Sequence, residues 1–215
     1  MGGDSAEGAG RMRLILVRHG ETASNLKMAL DSLPPGPPLT QAGVAQAAAL
    51  AEALADESVV AVYASTAVRA QQTAEPVASA HGLQVEVVDG VQEIFCGDLE
   101  GRHDREAFEI FIATLTQWAE GDLDVPLPGG ESGRQVLDRY LAAVDKITAK
   151  HPDDDTVVLV SHGGSLRMAA LALAVNVTPA LAEAGLLPNT GRVVLERAAN
   201  GWRCTSWTGV DVIDG

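Results

Sequence analysis

Leu14-Ile15-Leu16-Val17-Arg18-His19-Gly20 opens the ordered part of the chain, and Val157-Val158-Leu159-Val160-Ser161-His162-Gly163-Gly164 repeats its outline far downstream. Each stretch is a run of four aliphatic residues, long enough for a strand buried on both faces and too short for a helix. Each run ends in a histidine followed by glycine. In open α/β sheets, ligands bind at the carboxyl edge of the strands. A glycine there lets the backbone turn and lets amides approach a ligand closely. Two of the chain's five histidines therefore fall where a sheet of this class keeps its site.

The segments between these runs alternate in the same sense. Thr40 is placed to cap an alanine-rich helix to about Ala55, and Val59 to Tyr63 reads as a strand. Ser65 or Thr66 is expected to cap a helix to His81 that stops at Gly82, before a strand at Val85 to Val88. Helical spacing recurs from Asp104 to Glu120 and from Ser132 to Lys150, ended by His151-Pro152, and again from Ser165 to Ala174. Pro34-Pro35-Gly36-Pro37-Pro38 forbids a helix and predicts an irregular surface loop. Val193 to Glu196, an Asn200-Gly201 turn signal and Trp202 to Trp207 predict a closing hairpin. The expected fold is a three-layer α/β/α sandwich with a mostly parallel central sheet and an antiparallel C-terminal strand pair. Residues 1–10 are Gly/Ala/Ser-rich and read as a disordered tail without the pattern of a signal peptide; 11–215 read as one catalytic domain.

Composition narrows the function. With 47% hydrophobic and 20% charged residues, the 215-residue chain can build a large core. A net charge of −14 repels nucleic acid and anionic lipid, so neither is expected as a partner. An anionic small molecule needs a local cluster of arginines. Arg18 abuts His19, and Arg69 falls in the first turn of a helix, where unpaired amides already favour anions. Guanidinium matches phosphate oxygens with two parallel hydrogen bonds. Arg18, Arg69, His19 and His162 would form a cationic cup in an acidic molecule.

No Walker loop, dinucleotide fingerprint or His-Glu-x-x-His is present, and Asp153-Asp154-Asp155 reads as a solvated turn, so neither metal nor organic cofactor is expected. Cys96 and Cys204 form no ligand pair or disulfide framework and read as reduced thiols of a cytoplasmic protein. His81, His103 and His151 read as ordinary surface histidines. The oligomeric state stays open, a homodimer included.

Arg18-His19-Gly20-Glu21-Thr22 with Asn25 resembles the Arg-His-Gly signature of the histidine phosphatase superfamily, also called phosphoglycerate mutase-like. Four further segments are similar to that family's in order and rough spacing: Leu39-Thr40 with Gly43 and Gln46-Ala47; Ser65 with Arg69-Ala70 and Gln72-Thr73-Ala74; Gly129-Gly130-Glu131-Ser132; and Ser161-His162-Gly163-Gly164. The resemblance spans Arg13 to about Trp207. It implies that His19 becomes phosphorylated and that Arg18, Asn25, Arg69, His162 and the Gly163 backbone hold the phosphoryl group. It also implies that Glu93 serves as acid and base, and that a small phosphorylated metabolite is hydrolysed without a metal.

Two departures stand out. Where the family's phosphatases commonly read Glu-x-x-Phe-Gly-x-Trp-Glu-Gly, this chain reads Glu93-Ile94-Phe95-Cys96-Gly97-Asp98-Leu99-Glu100-Gly101. Cys96 and Leu99 are expected to make the pocket wall smaller or softer. The family's mutases carry Arg-His-Tyr-Gly after the glutamate, with further basic residues for a second phosphate; Ile94-Phe95-Cys96 replaces that motif here. Phosphatase therefore ranks above phosphoglycerate mutase, and above an inactive relative that only binds phospho-ligands.

Overall fold

The structure, a computed structural model, describes residues 11–184 and 186–212, without the side chains of 183 and 184. The expected tail at 1–10 lies outside them. Six strands form one sheet: β1 (Arg13–Arg18), β2 (Val59–Ser65), β3 (Val85–Val88), β4 (Thr156–Ser161), β5 (Arg192–Ala198) and β6 (Gly201–Trp207). Their order is β3-β2-β4-β1-β5-β6. The first four run parallel; β5 pairs antiparallel with β1, and β6 antiparallel with β5. The three-layer sandwich with an antiparallel C-terminal pair is the observed fold.

The two aliphatic runs are the centre of that sheet. All six residues of β4 are buried, and β1 is buried throughout except at its two ends. Alternate side chains feed opposite layers, as the strand period of two requires. Leu14, Leu16, Val157 and Leu159 pack with Tyr140, Val144 and Ile147 of α5 (Gly133–Thr148) and with Leu166, Ala169 and Ala170 of α6 (Gly163–Leu173). Ile15, Val17, Val158 and Val160 pack with Leu50 and Ala51 of α2 (Gln41–Ala53) and with Ala70, Ala74 and Val77 of α3 (Val68–Ala80). The alanines keep α2 and α3 close to each other and to the sheet. No helix among the described residues is long and apolar enough to cross a membrane.

Helix starts follow local chemistry where it could be read. Thr40 caps α2 by accepting from the Gly43 amide, and Ser132 with Gln135 forms a capping box on α5. Other details depart from expectation. The N-cap of α3 is Ala67, with no side-chain hydrogen bond, because Ser65 ends β2 and turns its hydroxyl to His162. The hairpin loop is Ala199-Asn200, one residue earlier than the turn signal, since Gly201 already pairs with Ala198. Two short helices, α1 (Ala23–Lys27) and α7 (Pro179–Ala184), lie in stretches for which no helix is expected. His151 is no ordinary surface residue: its ring bonds the Tyr63 hydroxyl at 3.1 Å and Asp155 at 3.0 Å, tying the turn before β4 to β2.

The chain between β3 and α5 has its own small core. Cys96 and Leu99 are buried there with Leu30, Ile94, Ala107, Trp118, Leu127 and Val136, against α4 (Arg105–Ala119). Both substituted positions are thus packing residues beneath the site loops, not an open pocket wall. Burial, with Glu93 and Glu100 nearby, pushes the Cys96 thiol up to about 12, which leaves it inert as a nucleophile.

Candidate active site

Parallel pairing of β1 with β4 sets Arg18 beside Ser161, so the two chains leave the sheet together. The His19 amide still donates to the Ser161 carbonyl at 3.0 Å. The imidazoles of His19 and His162 consequently meet edge to face, their centroids 5.2 Å apart. His19 is 5% exposed and His162 not at all.

Each ring is oriented by a specific partner. Nδ1 of His19 lies 2.7 Å from the Gly20 carbonyl, which can only accept, so Nδ1 carries the proton and Nε2 offers its lone pair. That lone pair accepts from Arg69 Nε at 3.2 Å. Burial, followed by the charges of His162, Arg69 and Arg18, holds the His19 pKa well below the ordinary imidazole value, against the opposing pull of the Gly20 carbonyl. Burial and the charges of Arg69, Arg139 and Arg18 do the same to His162. Nε2 of His162 shares a 2.8 Å hydrogen bond with Ser65 Oγ, while its Nδ1 is buried without a partner.

The arginines are held equally firmly. Arg18 donates from Nη1 to the Leu187 carbonyl at 2.6 Å, and its Nε is buried and unpartnered. Arg69, only 2% exposed, donates from Nη2 to the Asp31 carbonyl at 3.0 Å. Its Nη1 is buried without a hydrogen bond, 3.9 Å from Asp31 Oδ1. The loop over Arg69 approaches so closely that a Cβ on Gly36 would lie 2.2 Å from Nη1; with φ at +65° that position excludes any other residue. Glu100 pins the same loop by accepting from the Ser32 amide at 2.7 Å and from the Ser32 hydroxyl. Asn25 belongs to the capping box of α1, where its Oδ1 accepts from Thr22 N at 3.0 Å and from Asn189 Nδ2 at 3.2 Å, leaving its own amide as a donor.

Glu93, expected to serve as acid and base, is held by backbone amides. Its carboxylate accepts from the Gly164 amide at 3.0 Å, the Ser165 amide at 2.8 Å and its own neighbour Ile94 at 2.9 Å, at the start of α6. It adjoins His162 through that helix end. A Cβ on Gly164 would come within 2.8 Å of Glu93 Oε1, so glycine there is a condition of the contact. Arg139 fixes the backbone on the other side by donating to the carbonyls of Gly90, Gln92 and Glu93 while gripping Glu131 with both arms.

Arg18, His19, Arg69 and His162 are therefore brought together, Asn25 is linked to His19 through Asn189, and Gly163 lies against Arg18. Asn189, which donates to the His19 carbonyl at 3.0 Å, was not readable from any motif. Ser65 reads as a helix cap and as part of a family-like segment, and neither reading foretells its bond to His162. Among the described residues, no group of three or more His, Cys, Asp or Glu side chains could hold a metal ion.

Two buried guanidinium donors, Arg18 Nε and Arg69 Nη1, and the Nδ1 of His162 are without hydrogen bonds beside a lone-pair-bearing imidazole, an arrangement that suits a tetrahedral oxyanion. The family model that matches residues 14–209 is the histidine phosphatase superfamily (branch 1). The chain belongs to the histidine phosphatase superfamily. A metal-independent phosphoserine phosphatase of Arabidopsis thaliana is 34% identical over 204 residues, covering 92% of this chain and 81% of that protein. An adenosylcobalamin/alpha-ribazole phosphatase of Escherichia coli is 31% identical over 157 residues, 73% of this chain and 76% of its own. The structure of a mycobacterial glucosyl-3-phosphoglycerate phosphatase complexed with VO3 superposes with a TM-score of 0.78 at 26% identity, covering 92% of this chain and 99% of that one. This member of the superfamily is a hydrolase of the phosphatase kind.

The depressed imidazoles predict a pH dependence. Activity that depends on the free Nε2 of a neutral His19 should have an acid limb of kcat/KM below 6.5, the ordinary imidazole value. Stability should move in step: below 6.5 the unfolded imidazoles take up protons that the folded ones refuse, so stability is lost as pH falls. A pH–rate profile and denaturant midpoints across that range check both, and an acid limb above 6.5 would contradict the buried, neutral His19.

Proposed function

We propose that the protein is a metal-independent phosphomonoesterase acting on a small phosphorylated metabolite through a phosphohistidine on His19. The observation that carries this reading is the set of unpartnered buried nitrogens, Arg18 Nε, Arg69 Nη1 and His162 Nδ1, beside His19 Nε2. Buried donors without partners are costly, by about 1–3 kcal/mol each, and a phosphoryl group would satisfy all three. The reading places the protein in the cytoplasm, where its two buried free thiols stay reduced.

The chemistry follows from those positions. His19 Nε2 attacks phosphorus; the Nε2–P bond forms as the bond to the ester oxygen breaks. Arg69 Nε–H, which donates to the lone pair of His19 Nε2, moves to a phosphoryl oxygen. Arg18, Arg69, His162, the Asn25 amide and the Gly163 amide meet the charge on the equatorial oxygens. The Gly20 carbonyl stabilises the Nδ1 proton as the ring becomes cationic. Glu93, in its acid form, gives a proton to the leaving oxygen. In the second step it takes a proton from water, whose oxygen attacks phosphorus while the Nε2–P bond breaks and phosphate departs.

Replacing His19 by alanine should abolish nearly all turnover and leave the fold intact, because the side chain stands at the sheet edge. Mass spectrometry of wild-type enzyme, trapped without acid, should locate phosphate on His19, and excess chelator should leave the rate unchanged. A His19→Ala variant retaining activity within about tenfold of wild type would overturn the mechanism.

Glu93 is tested separately, since its contacts equally suit an anchor for α6. As an acid, it matters for an alkyl phosphate, whose alkoxide needs the proton, and little for a nitrophenyl phosphate. Glu93→Gln should slow the burst of alcohol release by about 10²–10⁴ and the phenol burst far less. Equal losses would assign Glu93 to positioning alone.

A further inference from the structure

The charges around the site restrict what the phosphate can be attached to. A phosphomonoester brings nearly two negative charges, and Arg18 and Arg69 bring two positive ones. The third guanidinium felt at the histidines, Arg139, is already cancelled: Nε and Nη2 donate to Glu131 at 2.7 and 2.8 Å, and its remaining donors are spent on backbone carbonyls. Arg167 directs its guanidinium to the Ala182 carbonyl, and Arg102 pairs with Asp104 and Glu106. Lys27 is exposed at the end of α1, where a solvated ammonium contributes little. The other charges acting on Arg69 are the carboxylates of Asp31, Glu93 and Glu100. A second phosphate or a carboxylate on the substrate would meet these anions, while Arg139, Arg167 and Arg102 are already engaged elsewhere.

Three exposed apolar residues lie close in the chain to the phosphate holders. Leu33, 49% exposed, belongs to the loop that covers Arg69, and its carbonyl would lie 3.3 Å from a Cβ on Gly36. Phe95, 36% exposed, follows Glu93 by two residues. Leu186, 73% exposed, precedes the residue whose carbonyl holds Arg18. Each of the three is thus an exposed apolar side chain within three residues of a group that touches or holds the site, where an apolar substrate portion could cover it.

We propose that the substrate is a phosphomonoester of an uncharged, apolar alcohol, seated against Leu33, Phe95 and Leu186, and that esters bearing a second anionic group are selected against. The inference rests on the phosphatase reading above and goes beyond it in naming the leaving group. It also separates this chain from an enzyme that moves phosphate between hydroxyls of one sugar acid, since such a substrate carries a carboxylate.

The test compares n-hexyl phosphate with O-phosphoserine and 3-phosphoglycerate, all of which leave as alkoxides. The expected result is a kcat/KM for n-hexyl phosphate at least about tenfold above either phosphorylated acid. Phe95→Ala should raise KM for n-hexyl phosphate severalfold with kcat preserved, and leave inhibition by orthovanadate, which has no alcohol moiety, unchanged. Equal or faster hydrolysis of the phosphorylated acids would overturn the inference and leave the phosphatase reading standing. So would a Phe95→Ala variant in which vanadate inhibition weakens as much as hexyl phosphate binding. Failure to hydrolyse any of the three esters would instead bring down the phosphatase reading, and the inference with it.

Discussion

The parallel pairing of β1 with β4 is the constraint on which the site depends. One register, with Arg18 opposite Ser161, delivers two histidines to the same edge of the sheet and keeps a backbone hydrogen bond running past it, from His19 N to Ser161 O. A slip of one residue would send the shifted strand's side chains into the opposite layers and carry the two imidazoles to opposite faces of the sheet. The register is therefore guarded by the two hydrophobic layers that the alternate side chains feed. Packing far from the chemistry holds the ring-to-ring geometry.

Around that edge the protein assembles like charges at some cost. Two guanidiniums and two imidazoles are buried together, and burial depresses all four, Arg18 and Arg69 included. Carbonyls take part of the load, from Leu187 for Arg18 and from Asp31 for Arg69. Acidic groups set back from the histidines take more: Glu100 fixes the loop that carries Asp31, and Glu93 satisfies the amides that open α6. Three of the buried side-chain atoms left without a hydrogen bond, Arg18 Nε, Arg69 Nη1 and His162 Nδ1, belong to these four side chains. Most of these groups are held in place by the fold, the exception being Arg69 Nε, which rests on His19 Nε2.

Much of this was legible in the sequence because it is local. A four-residue aliphatic run, a capping threonine at Thr40 and an arginine in a first helical turn at Arg69 each act through near neighbours. The illegible parts depend on partners distant in sequence. Ser65 looks like a cap until β2 is seen beside β4 with His162 at its end. Asn189 reaches across 170 positions to the His19 carbonyl. Cys96 and Leu99 seemed to line a pocket because they sit in a motif near Glu93, yet the chain turns them into the small core against α4. Glu93 itself could be assigned a role but not a posture: its hold on the Gly164 and Ser165 amides exists only once α6 is placed.

The central claim is that His19 and the three unpartnered nitrogens enclose one phosphoryl group. A crystal structure of this protein with orthovanadate tests it most directly. The account predicts vanadium bonded to or in line with His19 Nε2, with Arg69 Nε drawn off that nitrogen and equatorial oxygens on Arg18 Nε, Arg69 Nη1 and His162 Nδ1. Vanadate bound away from His19, or bound there with those three nitrogens still without partners, would contradict it.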